Sequence, residues 1–210
     1  MPPTADFSLF LVAALVVAAI PGPGIFYVAA RTLSEGKAAG VASTLGTALG
    51  GLVHVVAGGL GVSALIMASA EAFAMLKLAG ALYLIWLGIR AFREAGELPP
   101  EPKATATARV FREGIVVEAT NPKTAAFFLA FIPQFLDTAA SHPALQFMAL
   151  GLISVALNTF ADFIVVAAAT ITRENSARWP LLFQRLRQGS GLFMIGLGAS
   201  LLLARRPATS

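Results

Sequence analysis

The sequence predicts an all-α integral membrane protein, with six transmembrane helices as two inverted three-helix repeats and with helices one and four broken near the membrane midplane. Its 210 residues are 57% hydrophobic and 12% charged, whereas ordinary soluble domains are about a quarter charged. Six apolar stretches have roughly the length that crosses a bilayer. Two of them contain a proline motif, Pro21-Gly22-Pro23-Gly24 in the first and Asn121-Pro122-Lys123 in the fourth.

The six predicted spans leave no room for a sizeable soluble domain. They cover residues 7–30, 40–67, 72–89, 113–136, 145–170 and 188–204. The apolar run before the first break is short enough to suggest a cleaved secretory signal instead. Such a signal would have Lys or Arg ahead of its apolar core, but residues 1–6 contain neither and apolar sequence resumes after the break. We therefore interpret this run as the first half of a span.

Basic residues fall unevenly on the two sides of the predicted bundle. One side collects Arg31, Lys37, Arg90, Arg93, Lys103, Arg109, Arg112, Arg173, Arg178, Arg185 and Arg187, and the other has Arg205 and Arg206. An excess of Lys and Arg marks the cytoplasmic side. Both termini are then extracytoplasmic, and residues 93–112 form a cytoplasmic linker between repeat one (7–92) and repeat two (113–204).

An internal repeat supports this division into halves. Residues 82–88 in span three match residues 192–198 in span six, with two Leu, one Ile and one Gly identical at a shift of 110 positions. Because each half has an odd number of spans, the halves must be inverted. Pro21 and Pro122 each lie ten residues from an arginine, or about 15 Å at 1.5 Å per residue. That depth is near the middle of a hydrocarbon core about 30 Å thick.

The two breaks predict a polar site inside the membrane. Lipid cannot satisfy free backbone groups, so a span is interrupted only where it is buried in protein or lines a cavity; paired breaks in two halves indicate a transport site. Asn121 and Pro122 favour a helix that restarts there, with N–H groups that attract anions. Lys123 should face a cavity, an acidic partner or a bound carboxylate. The alternative is a packing kink at Pro122, with Lys123 extending along its stem to an interface.

Further polar residues in the spans are candidates for the same site. Ser154, Asn158 and Asp162 recur every four residues in span five, so this stripe should face away from lipid. Asp162 suits pairing with Lys123, binding of a substrate ammonium or carriage of a coupling proton; a static helix–helix hydrogen bond is the alternative. Glu118 competes for these roles, unless its side chain extends to the interface.

Span two carries small residues on one face. Gly46, Gly50 and Gly58 stand at intervals of four that include His54, a pattern that lets helices pack closely. His54 should then point inward, either as a packed, hydrogen-bonded residue or as a proton relay, because histidine titrates near neutral pH.

Four short motifs resemble the LysE/RhtB family of bacterial amino-acid exporters. They are Pro21-Gly22-Pro23-Gly24, Gly80-x-x-Tyr83-Leu84-x-x-x-Gly88 with Arg90 following, Asn121-Pro122-Lys123, and Phe131-x-Pro133-Gln134-Phe135. The resemblance covers nearly the whole chain. It implies an exporter of amino acids or close derivatives in the bacterial plasma (inner) membrane, driven by the proton gradient.

We expect secondary active efflux by alternating access, with an amino acid held between the two breaks. The predicted substrate-binding residues are Pro21, Gly22, Pro23, Gly24, Asn121, Pro122, Lys123, Asn158 and Asp162. The predicted proton-coupling residues are Asp162, Glu118 and His54. The substrate carboxylate should meet the N–H groups after Asn121 and the Lys123 charge, while carbonyls freed near Pro21 and an acidic residue, Asp162 first, meet its ammonium.

A passive channel and an exporter of another small polar metabolite stay open as alternatives. No constellation with catalytic spacing indicates an enzyme. With two histidines and no cysteine, neither a metal site nor a cofactor is expected. The implied partners are the amino-acid substrate, protons and membrane lipid, with a homo-oligomer left open; nucleic acid is not implied, because the glycine-rich segments lack the context of a phosphate loop.

Overall fold

The computed structural model describes residues 4–68, 70–93, 96, 106–137 and 142–172, with isolated positions between 181 and 202. The helices are α1 (Thr4–Ala19), α2 (Pro23–Glu35), α3 (Lys37–Ala68), α4 (Ala70–Arg93), α5 (Thr107–Ala119), α6 (Pro122–Ala126) and α7 (Pro143–Thr172). A π-helical turn (Phe127–Phe131) and a 3₁₀ turn (Ile132–Phe135) continue α6. Both termini lie outside the described residues, as does much of the predicted linker 93–112 and of the predicted sixth span with its repeat segment 192–198.

Long apolar helices confirm an all-helical membrane architecture in the described part of the chain. Lys37–Gly61, Thr107–Phe135 and Pro143–Ile171 are each long and apolar enough to cross a bilayer, and Phe7–Ala19 with Pro23–Glu35 makes a fourth candidate that is bent by 44°. Large apolar side chains also cover the outer surface, as a lipid solvent requires. Six spans and an inverted repeat stay predictions, because three or four spans are found among the described residues.

The first break follows from the chemistry of its prolines. In an uninterrupted helix the amide of residue 21 would donate to the carbonyl of Val17, but proline has no N–H. Helix α1 accordingly ends at Ala19, and α2 begins at Pro23, in the first turn where proline is tolerated. The predicted interruption of the first span is therefore confirmed, and it leaves main-chain carbonyls inside the bundle.

The second break is a helix that stops and restarts. Helix α5 ends before Thr120, and α6 begins at Pro122 after an extended residue, Asn121. The side-chain oxygen of Asn121 accepts a hydrogen bond from the backbone N–H of Lys123 at 3.0 Å, which is the N-cap that the sequence predicted. Helix α5 begins at Thr107, upstream of the predicted start at residue 113, so the end of the predicted linker is helical.

Helix α3 packs between α5 and α7, and α2 contacts all three of these helices. The backbones of α3 and α5 come very close: a Cβ atom on Gly114 would lie 3.2 Å from Cα of Gly46, and one on Gly50 would lie 2.9 Å from Cβ of Glu118. Gly58, on the same small-residue face, meets Phe147 of α7. The predicted close packing of this face is confirmed, because a side chain at these positions would separate the helices.

Aromatic side chains fill the bundle beyond the second break. Phe10, Phe127, Phe128, Phe131 and Phe147 are buried in one apolar cluster. The π-helical turn carries Phe127, Phe128 and Phe131. Between ring centroids, Phe127 lies 5.1 Å from Phe131 and 6.1 Å from Phe128, and Phe128 lies 6.1 Å from Phe147. Because the π-helical turn directly follows α6 along the chain, this apolar cluster lies next to the second break.

Candidate functional site

The two breaks are in direct contact through the side chain of Lys123. Its ammonium nitrogen Nζ donates hydrogen bonds to the main-chain carbonyls of Val17 at 3.2 Å and Ile20 at 2.9 Å. The Val17 carbonyl is the one that Pro21 deprives of its helical donor. Lys123 is buried, with 6% exposure, so it neither extends to an interface nor faces lipid. A charge from the second break thus binds main-chain carbonyls at the first break.

The glycines of the first motif make room for charged side chains of the second. A Cβ atom on Gly22 would lie 3.0 Å from Cε and 3.3 Å from Nζ of Lys123, and one on Gly24 would collide with the Oε2 atom of Glu118. Each glycine therefore accommodates one ionisable side chain. Pro21 is buried beside them, whereas Pro23 is exposed.

The carboxylate of Glu118 lies against the restart of the second helix. Asn121 Nδ2 donates to its Oε2 atom at 2.8 Å, and the hydroxyl of Thr124 donates to its Oε1 atom at 2.6 Å. Glu118 is buried, which excludes the predicted alternative that its side chain extends to the interface. The anion expected near the start of α6 is thus, in this conformation, a carboxylate of the protein itself.

Asp162, on α7, takes no part in the hydrogen bonds of Lys123 and Glu118 described above. Its Oδ2 atom accepts a hydrogen bond from the hydroxyl of Thr47 on α3 at 2.8 Å, and it is 5% exposed. Ser154 is fully buried and Asn158 is half-buried, so the polar stripe faces the bundle interior as predicted. Of the predicted possibilities for Asp162, this contact matches the helix–helix hydrogen bond. Pairing with Lys123 is not observed, since the ion pairs among the described residues include neither side chain; the ammonium instead donates to carbonyls at the first break.

His54 links α3 to the end of α5. Its Nε2 atom lies 2.9 Å from the main-chain oxygen of Glu118, and its ring is 5.6 Å from that of Phe128. Because a carbonyl oxygen only accepts hydrogen bonds, Nε2 carries the hydrogen. Of the two predicted roles, this contact matches the packed, hydrogen-bonded histidine.

A cavity lies where these elements meet. Its volume is about 20 Å³, close to the space that one water molecule requires. Six of the predicted site residues line it: Gly24, Glu118, Asn121, Lys123, Asn158 and Asp162. The other predicted residues, Pro21, Gly22, Pro23, Pro122 and His54, are not among its lining residues. Pro21 and Pro122 shape the breaks, and Gly22 makes room for Lys123.

The cavity also has a lining that sequence reasoning missed. These residues are Ile25, Thr47, Ala48, Gly51, Thr124, Phe128, Val155 and Thr159. Thr47 carried a usable signal, as a polar residue next to the small-residue face of span two. Thr124 carried another, because it directly follows the Asn-Pro-Lys motif. Nothing in the sequence distinguished Phe128 or Val155 from the many other apolar residues of their spans.

An ion-pair network joins α2 to α5 on the opposite side of the cavity from the aromatic cluster. The Arg31 guanidinium contacts Glu35 and lies 2.5 Å from a carboxylate oxygen of Glu113. Glu113 also accepts a hydrogen bond from Arg109 at 2.9 Å and lies 3.2 Å from the hydroxyl of Tyr27. Arg31 is buried, so the network fixes α2 against α5 between one and two helical turns from the Gly24–Glu118 contact.

Known proteins resemble this chain over nearly its whole length. Residues 15–205 match the model of the family described as LysE type translocator. A homoserine/homoserine lactone efflux protein of Salmonella typhimurium is 32% identical over 93% of this chain and 95% of its own length. A leucine efflux protein of Klebsiella pneumoniae is 26% identical, over 93% and 94%. An uncharacterized membrane protein of Vibrio cholerae is 32% identical, over 93% and 96%. No solved structure matches the chain significantly.

Proposed function

The chain belongs to the LysE type translocator family, and from this premise we propose that it exports amino acids or close derivatives across the bacterial plasma membrane. It is a multi-pass membrane protein and a transporter, not an enzyme. The proposed mechanism is secondary active efflux by alternating access, coupled to proton antiport. The relatives named for leucine efflux and for homoserine and homoserine lactone efflux support a small amino acid or its derivative as the substrate.

The observation that carries this proposal is the cavity between the two broken spans, with its buried Lys123, Glu118 and Asp162. Ionisable groups are expensive inside a membrane and are found there facing ion or substrate pathways. An amino acid is a zwitterion, so a site for it must supply both a positive and a negative partner. This cavity has both signs within one lining.

Asp162 is the proposed partner of the substrate ammonium. An ionised carboxylate has about four positions that accept hydrogen bonds, and among the described residues Thr47 supplies its one donor. Glu118 is less available, because Asn121 and Thr124 already donate to both of its oxygens. The carbonyls of the first break are also engaged, by Lys123, so we assign the ammonium to Asp162 alone.

Lys123 is the proposed partner of the substrate carboxylate. An ammonium group has three N–H donors, and two of them reach the carbonyls of Val17 and Ile20. The third is available to a carboxylate in the cavity, and a charge-assisted hydrogen bond of this kind is about twice as strong as a neutral one. Asn158 also lines the cavity, one turn from Asp162 along the polar stripe of α7, and is proposed to contact the bound substrate.

Competition at Asp162 provides the coupling. A protonated Asp162 has no negative charge to bind an ammonium, so a proton and a substrate occupy this carboxyl alternately. Exchange of the two across the membrane is antiport, and the inward proton gradient then drives the substrate outward. Glu118 and His54 are the other predicted proton carriers, and their existing hydrogen bonds place them second.

Binding also requires movement. A cavity of about 20 Å³ has room for about one water molecule, so the helices that line it must separate before an amino acid fits. Such a movement exposes the site to one side of the membrane at a time, as in transporters whose two halves rock about a central site. We propose both termini to be extracytoplasmic, since the basic residues Lys37, Arg90 and Arg93 mark the cytoplasmic side.

Purified protein in liposomes tests the function. Under an imposed pH gradient, leucine or homoserine should accumulate on the acidic side, and collapse of the gradient with a proton ionophore should stop accumulation. Unlabelled substrate on the far side should accelerate entry of the labelled substrate, as expected of a carrier. Flux that does not saturate and does not respond to counter-substrate would instead support a passive channel. Absence of amino-acid flux of either kind would contradict the proposal.

A further inference from the structure

We infer that Phe128, Gly51 and Val155 form the side-chain pocket of the substrate site and set the size of the amino-acid side chain that is transported. This inference rests on the proposed function, and it goes further by giving the apolar part of the cavity lining a role in selectivity. The assignment follows from how α3 and α7 run past each other.

Helices α3 and α7 are antiparallel, and their contacts give the order of residues along the cavity. The Thr47 hydroxyl donates a hydrogen bond to Asp162, whereas Gly51, one turn further along α3, faces Val155: a Cβ atom added to Gly51 would lie 3.0 Å from Cγ2 of Val155. Val155 and Asp162 are seven residues apart, or about 10 Å along the helix. A substrate whose ammonium binds Asp162 therefore points its other end toward Val155 and Gly51.

Phe128 is the wall at this apolar end. A Cβ atom on Gly151, one turn beyond Val155, would lie 3.0 Å from Cε1 of the Phe128 ring. The ring packs edge-on against Phe127 and Phe147, both at 6.1 Å, and is 2% exposed. Because neighbours hold it on several sides, the ring presents a fixed surface to the cavity. It also lies on the π-helical turn, a rare conformation that is frequent at functional sites.

The absence of a side chain at Gly51 gives the pocket its depth. An added Cβ atom there would press on Val155 from within the cavity lining. Ala48, Phe128 and Val155, which line the cavity beside Gly51, are all apolar. A side chain larger than the pocket would have to displace the Phe128 ring or Val155, and overpacking of this kind is destabilising. The pocket therefore favours side chains of the size of leucine and homoserine over that of phenylalanine.

A substrate panel in liposomes tests the inference. Counterflow of alanine, homoserine, leucine, phenylalanine and lysine is measured for the wild type and for variants that change the pocket in opposite directions. Phe128→Leu and Val155→Ala enlarge it and should raise the phenylalanine-to-leucine rate ratio by about 10-fold, while Gly51→Ala reduces it and should lower the leucine-to-alanine ratio similarly. Leu129→Ala is the matched control, because Leu129 is on the same turn but 39% exposed, and its ratios should equal those of the wild type.

Rate ratios separate selectivity from folding, because a loss of active protein lowers every substrate equally. If Phe128→Leu does not insert, the opposite shifts of Val155→Ala and Gly51→Ala still decide the question. Wild-type transport of phenylalanine as fast as leucine, or unchanged ratios in active pocket variants, would overturn the inference and leave the export function standing. A wild type that moves no amino acid would overturn the proposed function itself.

Discussion

The Lys123 side chain lies against Gly22, and its ammonium donates to the Val17 carbonyl, which lacks the usual helical donor four residues later because residue 21 is proline. This relationship joins the two breaks: the first supplies carbonyls that accept a hydrogen bond and a glycine that leaves space, and the second supplies the ammonium that fits them. It also explains why a lysine is tolerated inside the membrane without an acidic partner, because two carbonyl dipoles solvate it. The predictions below follow from this arrangement.

Removal of the Lys123 charge should abolish transport. Lys123→Met keeps a long, flexible stem beside Gly22. It leaves the Ile20 carbonyl without a donor among the described residues, at a cost of about 1–3 kcal/mol, and leaves the Val17 carbonyl with the Ile20 N–H alone, at 3.3 Å. We expect the variant to insert into the membrane, to melt at lower temperature in detergent, and to show no counterflow. Arg112→Met, at an exposed position of α5, is the control and should behave as the wild type. Wild-type flux by Lys123→Met would remove this residue from the site.

The glycines of the first break should not tolerate a methyl group. Gly22→Ala would press on the Lys123 stem, and Gly24→Ala would displace the Glu118 carboxylate, so each should reduce the transport rate strongly. Gly61→Ala is a matched control, because nothing lies within 4 Å of its added Cβ and alanine favours the helix by up to about 1 kcal/mol. Equal rates for all three alanine variants would contradict the proposed fit between the breaks.

Asp162→Asn should eliminate both pH-driven export and counterflow. The asparagine retains an oxygen for the Thr47 hydroxyl, so the fold should be preserved, but it binds neither a proton nor an ammonium by charge. In the wild type, lower pH on both sides should raise KM for the substrate, because protons compete for the same carboxyl. A Glu118→Gln variant that lost this pH response, beside an Asp162→Asn variant that kept it, would transfer the coupling role to Glu118.

The ion-pair network should contribute to stability rather than to substrate binding. Arg31→Met removes the buried partner of Glu113 and Glu35, and loss of one member of a buried pair costs about 3 kcal/mol or more. The variant should unfold at lower denaturant or lower temperature, while KM of the remaining active protein stays near that of the wild type. Since Arg112 is exposed, Arg112→Met again serves as the control. A large KM change with unchanged stability would argue that the network belongs to the site.

Local chemistry made the helix interruptions predictable. Proline lacks an N–H wherever it stands, and asparagine before proline is a favourable helix start, so Pro21 and Asn121 revealed the breaks without any tertiary information. The glycine face of α3 was also predictable from local sequence, since residues four apart in a helix lie on the same face. Polar residues at a regular spacing of four in an apolar span likewise predicted the inward-facing stripe that ends at Asp162.

Partner choice could not be predicted in the same way. The spacing of the motifs predicted how deep Lys123 lies in the membrane, but not which group its side chain contacts. An acidic side chain and a pair of carbonyls are both reasonable partners for an ammonium. The observed choice depends on contacts 103 and 106 positions away along the chain. Arg31 and Glu113, 82 positions apart, and the wall formed by Phe128 have the same origin, because they arise from helix packing and from a π-helical turn rather than from local pattern.

The central claim is that both breaks enclose one cavity in which an amino acid binds. The chain has no cysteine, so a single cysteine in the cavity lining reports on occupancy without background. The measurement is the rate at which a small thiol reagent modifies Ala48→Cys, compared with Thr107→Cys at the exposed start of α5. We predict that leucine or homoserine slows modification at residue 48 in proportion to its occupancy and leaves residue 107 unaffected. Equal modification rates with and without a transported amino acid would contradict the account.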